Sequence, residues 1–200
     1  MAFLGIPARH FRRVSRRRRP GVSMAGVWLV AALYLAATSP AIPVQRDGLS
    51  EYHLKAAFLV NFTRFVEWPE DRFPGPEAPI LIGILGDDPF GELLPEMVND
   101  KTIDGREIEI SYHATAETVS RCHLLYVSSS ERPRLDCIMK ALDLHGLLTV
   151  GDTDGFISRG GTIRLKLEGK HVRFEINLAA AEAAGLKISS KLLNLAEVVE

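Results

Sequence analysis

Two adjacent carboxylates, Asp87 and Asp88, follow the apolar run PILIGIL in the stretch GDDPFG. Paired acids at a strand end can serve as general acid and base, or seat a metal ion. The first chemistry needs a His or Lys partner and the second needs further ligands. The sequence points to neither around this stretch. Asp88 precedes Pro89, which is the order of an acidic cap and a proline at the first helical position. Such a carboxylate accepts unpaired N–H groups and faces the positive end of the helix. The stretch therefore reads as a helix start.

Three other polar clusters have the same two possible roles. Ser128–Glu131 (SSSE) follows the apolar stretch HLLYV, at a strand end where open α/β sheets bind ligands. A serine nucleophile there belongs to a G-x-S-x-G elbow, and the glycines are missing. Ser129 or Ser130 is expected to cap the next helix. GDTDG offers Asp152 and Asp154, but Phe156 stands where a calcium loop needs a third ligand, so a polar turn is expected. In GLKISSKLL, Lys187 and Lys191 flank Ser189 and Ser190 at a helix start. Two ammonium groups beside free N–H groups would suit a small anion, although capping alone accounts for both serines. Arg164 and Arg173 are expected on one face of a hairpin, paired with Glu175 or Glu168 as surface ion pairs. No catalytic constellation, metal-ligand cluster or cofactor motif emerges.

The two cysteines, Cys122 and Cys137, are expected to stay free. Cys122 opens a strand and Cys137 lies in the returning helix. Roughly 14 Å of axial offset remains between them at ~3.3 Å per strand residue and ~1.5 Å per helical residue. A bridge needs Cα atoms within ~7 Å. Cys137, near Leu135 and Ile138, is expected to be a buried small hydrophobe. His123 is expected on the strand face opposite Cys122.

The elements that must position these residues show in the periodicity. SEYHLKAAFLVNFTRFVEWPE reads as a helix capped by Ser50 and stopped by Pro69. Its apolar stripe is Leu54, Phe58, Phe62 and Phe65, widened by Leu59 and Val66. Lys55 and Arg64 are left to the polar side, too few for a membrane-surface helix. PILIGIL and HLLYV read as strands covered on both faces, and REIEISYH as a strand with one wetter face. FGELLPEMV reads as a short helix broken by Pro95, ERPRLDCIMKALDLHG as a helix ending at Gly146, and LLTVGD as a strand. TIRLKLEGKHVRFEIN reads as a hairpin pairing Ile163, Leu165 and Leu167 with Val172, Phe174 and Ile176. Two helices follow, LAAAEAA capped by Asn177 and KLLNLAEVV capped by Ser189 or Ser190. The fold class expected is an α/β layered sandwich: a mixed sheet of about six strands flanked by helices, with the C-terminal β-hairpin followed by two helices.

Residues 1–41 read as a signal peptide, with seven arginines, no acid, the apolar run VWLVAALYLAA and small residues to Ala41. Residues 42–200 then form a single domain. Removing seven arginines takes the formal charge from −1 to −8. An acidic exported domain is a poor nucleic-acid binder.

EYHLKAAFLVNFTRFVEWP, GDDPFG, CHLLYVSSSE, LLTVGDTDGF and GGTIRLKLEGKHVRFEINLAAAEAAGLKISSKLLNLA together resemble the YfiR-like family of exported bacterial proteins. The resemblance runs over roughly Ser50 to Val198, and its last stretch is the most specific. It implies a periplasmic, non-catalytic α/β protein without a cofactor that tends to form a homodimer. Such a protein binds the periplasmic domain of an inner-membrane diguanylate cyclase and holds it inactive, so that less cyclic di-GMP is made. An OmpA-like outer-membrane lipoprotein captures the repressor and relieves the inhibition. The family's repressor carries two disulfides; this chain has two cysteines in all, so redox control is not implied. Two other readings stand beside this one: a small-anion sensor at Lys187, Ser189, Ser190 and Lys191, and an exported hydrolase using Asp87, Asp88 or the serines.

Overall fold

The computed structural model describes residues 46–119 and 121–199. The leader, residues 1–41, lies outside them. Among the described residues, no helix is long and apolar enough to cross a membrane.

Helix α1, Arg46–Phe65, opens the described chain and already includes Ser50, which is therefore not its cap. The buried stripe is Ala56, Leu59, Val60, Phe62 and Thr63, continuing to Val66 just past the helix. It is rotated from the expected one: Leu54 is 40% exposed, while Lys55 is buried. Val66–Glu67 forms strand β1 and pairs antiparallel with β9, Lys187–Ile188. That small ladder ties the end of α1 to the C-terminal segment.

The main sheet has eight strands in the order β10-β8-β7-β6-β5-β2-β4-β3. β2 (Ile80–Leu85) lies parallel between β4 (Arg106–His113) and β5 (Leu124–Val127). β6 (Leu148–Gly151) and β7 (Ile163–Glu168) continue the parallel run. The two-faced burial expected of the apolar runs is met, since all four residues of β5 and of β6 are buried. Alternate residues supply two cores. Ile82, Ile84, Leu124, Tyr126, Leu148 and Val150 pack under α1. Leu85, Leu125 and Val127 pack with Leu135, Ile138, Met139 and Phe156 on the other face. β7 and β8 (His171–Asn177) form the expected hairpin, with Ile163 opposite Ile176, Leu165 opposite Phe174 and Leu167 opposite Val172.

The sheet exceeds the expected six strands by two short edge strands. β3, Thr102–Ile103, folds back on β4 across Asp104-Gly105, whose φ angles of 52° and 81° are those of a two-residue hairpin turn. β10, Glu197–Val199, adds parallel to β8. It takes the end of what the sequence pattern offered as the last helix. Helix α5 (Ser190–Leu193) is only four residues long. Lys166 reaches Glu197 at 2.6 Å, and Val198 and Val199 are β-branched residues that fit an edge strand.

Two other helices differ in extent. α2 (Leu93–Val98) begins late enough that Pro95 sits in its first turn, where a missing N–H costs nothing, so the helix is not broken. The segment after β5 is a 3₁₀ stretch, Ser129–Arg134, leading into α3, Leu135–Ala141, which stops short of Gly146. Because Leu135, Ile138 and Met139 take the inner side of α3, Cys137 turns outward and is exposed rather than buried. α4, Leu178–Ala183, is capped as expected by Asn177, whose Oδ1 accepts the Ala180 N–H at 2.9 Å.

Candidate functional site

The order β4-β2-β5-β6-β7 places the chain's reversal of direction at β2, with β4 on one side and the later strands on the other. Open α/β sheets bind ligands beyond the carboxyl ends of the strands at such a point. Here that position falls between Gly86-Asp87-Asp88 and Ser128–Glu131, the two clusters first singled out.

The structure brings these clusters together and ties several of their polar groups into turns, while the Asp87 side chain stays exposed. The Asp87 N–H donates to Ser130 Oγ at 3.0 Å. Asp88 Oδ1 accepts the Phe90 N–H at 2.8 Å, which closes a turn ahead of α2. Asp88 thus caps a turn, and the helix itself starts at Leu93, with Glu92 at the cap position. Ser128, not Ser129 or Ser130, caps the 3₁₀ stretch by accepting the Ser130 N–H at 3.4 Å. Glu131 is buried and pairs with Arg134 at 2.7 Å. The loops touch closely: Gly86 has φ +90°, and a Cβ there would lie 2.5 Å from Ser130 Oγ. The same Cβ would lie 2.7 Å from Glu131 Cγ.

These contacts give a first test. Asp88→Ala removes a turn cap and is expected to cost about 1 kcal/mol of stability. Chemical denaturation reads this directly. A general acid or base would instead lose a purified activity with little change in stability.

A buried cluster that the sequence pattern did not suggest lies beside this point. Lys55 Nζ reaches Asp152 Oδ2 at 2.6 Å and Glu51 Oε1 at 2.5 Å, and sits 4.6 Å from the Tyr52 ring centre. Burial pulls the Lys55 ammonium down, but its bonds to Asp152 and Glu51 outweigh that and hold it above its ordinary value. Burial, then the Asp152 charge, push the Tyr126 phenol far up. The Tyr126 hydroxyl and Asp152 Oδ1 are buried without a hydrogen-bond partner. The signal in the sequence was spacing, since Lys55 stands four residues before Leu59 and seven before Phe62, on the stripe that faces the sheet. The GDTDG segment is thus half core: Asp152 and Thr153 turn inward, while Asp154 pairs outside with Arg164 at 2.9 Å.

At the opposite, amino-terminal ends of the strands, His123 is packed edge-on to Trp68 and stacked on Phe73 with ring centres 4.4 Å apart. Its Nδ1 accepts the Leu81 N–H at 3.0 Å. Burial, then the Arg72 and Arg106 charges, lower its pKa to about 4. Cys122 belongs to the opposite core, with Sγ 3.6 Å from both Ser111 Oγ and His113 Nε2. Burial pushes its thiol up, the reverse of what a nucleophile needs. Cys122 and Cys137 are both free.

The C-terminal candidates are spread along one edge. Lys187 belongs to β9, opposite Glu67. Ser189 Oγ accepts the Lys191 N–H at 3.2 Å and so caps α5. Lys187, Ser190 and Lys191 are exposed, and among the described residues neither ammonium meets a carboxylate within ion-pair distance. On the hairpin, Arg164 also meets Glu175 at 3.3 Å, and Arg173 approaches Glu168 at 3.9 Å.

The arrangement defines an α/β domain in which several strand-end polar groups are taken up by its own loops. Residues 52–197 match the YfiR/HmsC-like family, and the chain belongs to it. Comparison with curated proteins gives no match. Among solved structures, a conserved domain protein from Vibrio cholerae is similar in fold, with TM-score 0.52 and 12% identity over 74% of this chain. The match spans 60% of that protein's length.

Proposed function

We propose that this chain is an exported, non-catalytic repressor. It binds the periplasmic domain of an inner-membrane diguanylate cyclase, or a related sensor, and holds it inactive, lowering cyclic di-GMP. An OmpA-like outer-membrane lipoprotein that captures the chain would relieve the inhibition. Supporting this reading is the use made of the ligand-binding end of the sheet. The Asp87 N–H holds its loop to Ser130 there, while Asp88, Ser128 and Glu131 are taken up by contacts within their own segments. A domain built this way acts through its surface.

Deleting the gene is expected to raise intracellular cyclic di-GMP, and deleting the cognate cyclase as well is expected to abolish the rise. An unchanged level in both backgrounds rejects the repressor reading. A thermal upshift of the purified protein with inorganic phosphate, lost in Lys187→Ala, would instead favour an anion switch at Lys187, Ser189, Ser190 and Lys191. Behind that second reading stand the Lys187 and Lys191 ammonium groups, neither of which meets a carboxylate among the described residues.

A further inference from the structure

Cys122 meets an imidazole that is not its sequence neighbour. His123 packs on the other face of the sheet, against Trp68 and Phe73. His113, at the end of β4, supplies the contact instead. Its Nε2 lies 3.6 Å from Cys122 Sγ and 2.9 Å from Ser111 Oγ, and that Oγ lies 3.6 Å from the sulfur. Ser111 and His113 are two residues apart, so they share one face of β4. Beside them on β2 is Gly83, the pairing partner of Ser111. A Cβ there would lie 2.7 Å from Cys122 Sγ and 3.4 Å from His113 Cδ2. The glycine therefore leaves the space in which thiol and imidazole meet.

The hydrogen bonds also fix which imidazole nitrogen is free to bind. The Thr118 hydroxyl donates its one hydrogen to the Thr115 carbonyl at 2.7 Å. Toward His113 Nδ1, 3.3 Å away, it can only accept, so Nδ1 carries the ring proton. Nε2 then keeps its lone pair on the side of Ser111 and Cys122. Metal-bound histidines have this arrangement, with an outer partner on one nitrogen and the metal on the other.

We infer that Cys122, His113 and Ser111 form a binding site for one thiophilic divalent cation, zinc by its geometry. The three contact distances make a triangle, and the point equidistant from its corners is about 2.0 Å from each. Zinc bonds are ~2.0–2.1 Å to nitrogen, ~2.0–2.2 Å to oxygen and ~2.3 Å to sulfur. An ion with those bond lengths rests just above the triangle. Its S–Zn–N and S–Zn–O angles are then about 110°, the tetrahedral value, and its fourth position is left to water. Thiolate and imidazole select zinc over magnesium or calcium, which take oxygen ligands. On binding, the Cys122 thiol gives its proton to water and the sulfur bonds the metal. The Ser111 hydroxyl turns its hydrogen away from Nε2, which frees that lone pair. Burial favours the neutral thiol, and a cation at the sulfur reverses that preference. Ser111 and His113 are half-buried, near an edge where β3 covers only Arg106 and Glu107, so the ion has a way in. The site stands apart from the cyclase reading, so failure of either leaves the other intact.

The test expresses the full-length gene, purifies the protein as it accumulates in the cell and strips it with a chelator. Cys137→Ser leaves Cys122 as the sole thiol of the chain. Cobalt(II) is the probe, because it adopts zinc's geometry and shows a thiolate-to-metal absorption band. One equivalent is expected to raise that band, and zinc is expected to bleach it. Adding Cys122→Ser should abolish it. His113→Gln should weaken zinc binding about tenfold or more, at least the loss that follows removal of an outer partner. The His113 side chain is half-buried, so urea unfolding should change little, and this variant reads the site even where Cys122→Ser fails to fold. No band in the folded Cys137→Ser protein, a zinc affinity unchanged by His113→Gln, or one unchanged by Cys122→Ser would each overturn the proposal and leave a hydrogen-bonded triad only.

Discussion

Lys55→Met is expected to destabilise the fold by about 3–5 kcal/mol, the cost of stranding one member of a buried ion pair. The side chains of Lys55 and Asp152 are 4% and 7% exposed, so bulk water cannot replace the lost ammonium around the carboxylate. Asp152 Oδ1 already lacks a partner, and with the ammonium gone only neutral tyrosine hydroxyls stand near enough to answer the charge. Glu51, 22% exposed at the outer lip, can rehydrate, so Glu51→Gln should cost far less. Methionine keeps much of the lysine stem's volume, so the loss reads the charge rather than a cavity. The measurement is urea unfolding of a double-mutant cycle. Lys55→Met with Asp152→Asn should recover much of the single-mutant loss, because the stranded charge goes with its partner. Strict additivity would mean that the two side chains do not face one another.

The contrast between this cluster and the hairpin shows what the sequence could disclose. Ile163, Leu165 and Leu167 against Val172, Phe174 and Ile176 were legible because strand alternation is local and both strands lie in one stretch. Apolar PILIGIL and HLLYV likewise announced strands buried on both faces. Spacing set Lys55 on the stripe that faces the sheet, but nothing local disclosed the carboxylate 97 residues away that lets a charge be buried there. The same limit hid β10: KLLNLAEVV has helical spacing, and only Lys166 and the free side of β8 draw its end into the sheet. Cys137 was misplaced because the shortened helix α3 offers one narrow inner side, already filled by Leu135, Ile138 and Met139. At the strand ends, residue types predicted capping correctly at Asn177 and Ser189. Asp88 and Ser128 show the limit of that method. It identified polar groups that bind backbone N–H groups, but not which turn each would close.

Acidification is expected to weaken the fold between about pH 6.5 and pH 4, by about 3 kcal/mol from His123 alone. The direction follows from the protons. Folded His123 stays neutral down to about pH 4, because burial and then Arg72 and Arg106 oppose a third positive charge there. Unfolded, the ring takes up a proton near pH 6.5. Within that window the unfolded chain binds more protons, so stability rises with pH and is fully present above the window. His113, lowered by its own burial, acts in the same direction. His123→Asn separates the two. The asparagine Oδ1 can replace Nδ1 as acceptor for the Leu81 N–H, keeping the link to β2 without a titrating ring. The variant loses the Phe73 stack and should be less stable than the parent at neutral pH. Its stability should nevertheless fall much less as the pH drops, so the two curves converge toward pH 4. Urea unfolding at a series of pH values reads both slopes. Curves that stay parallel would place the acid sensitivity elsewhere and leave the stacked, buried ring without its titration.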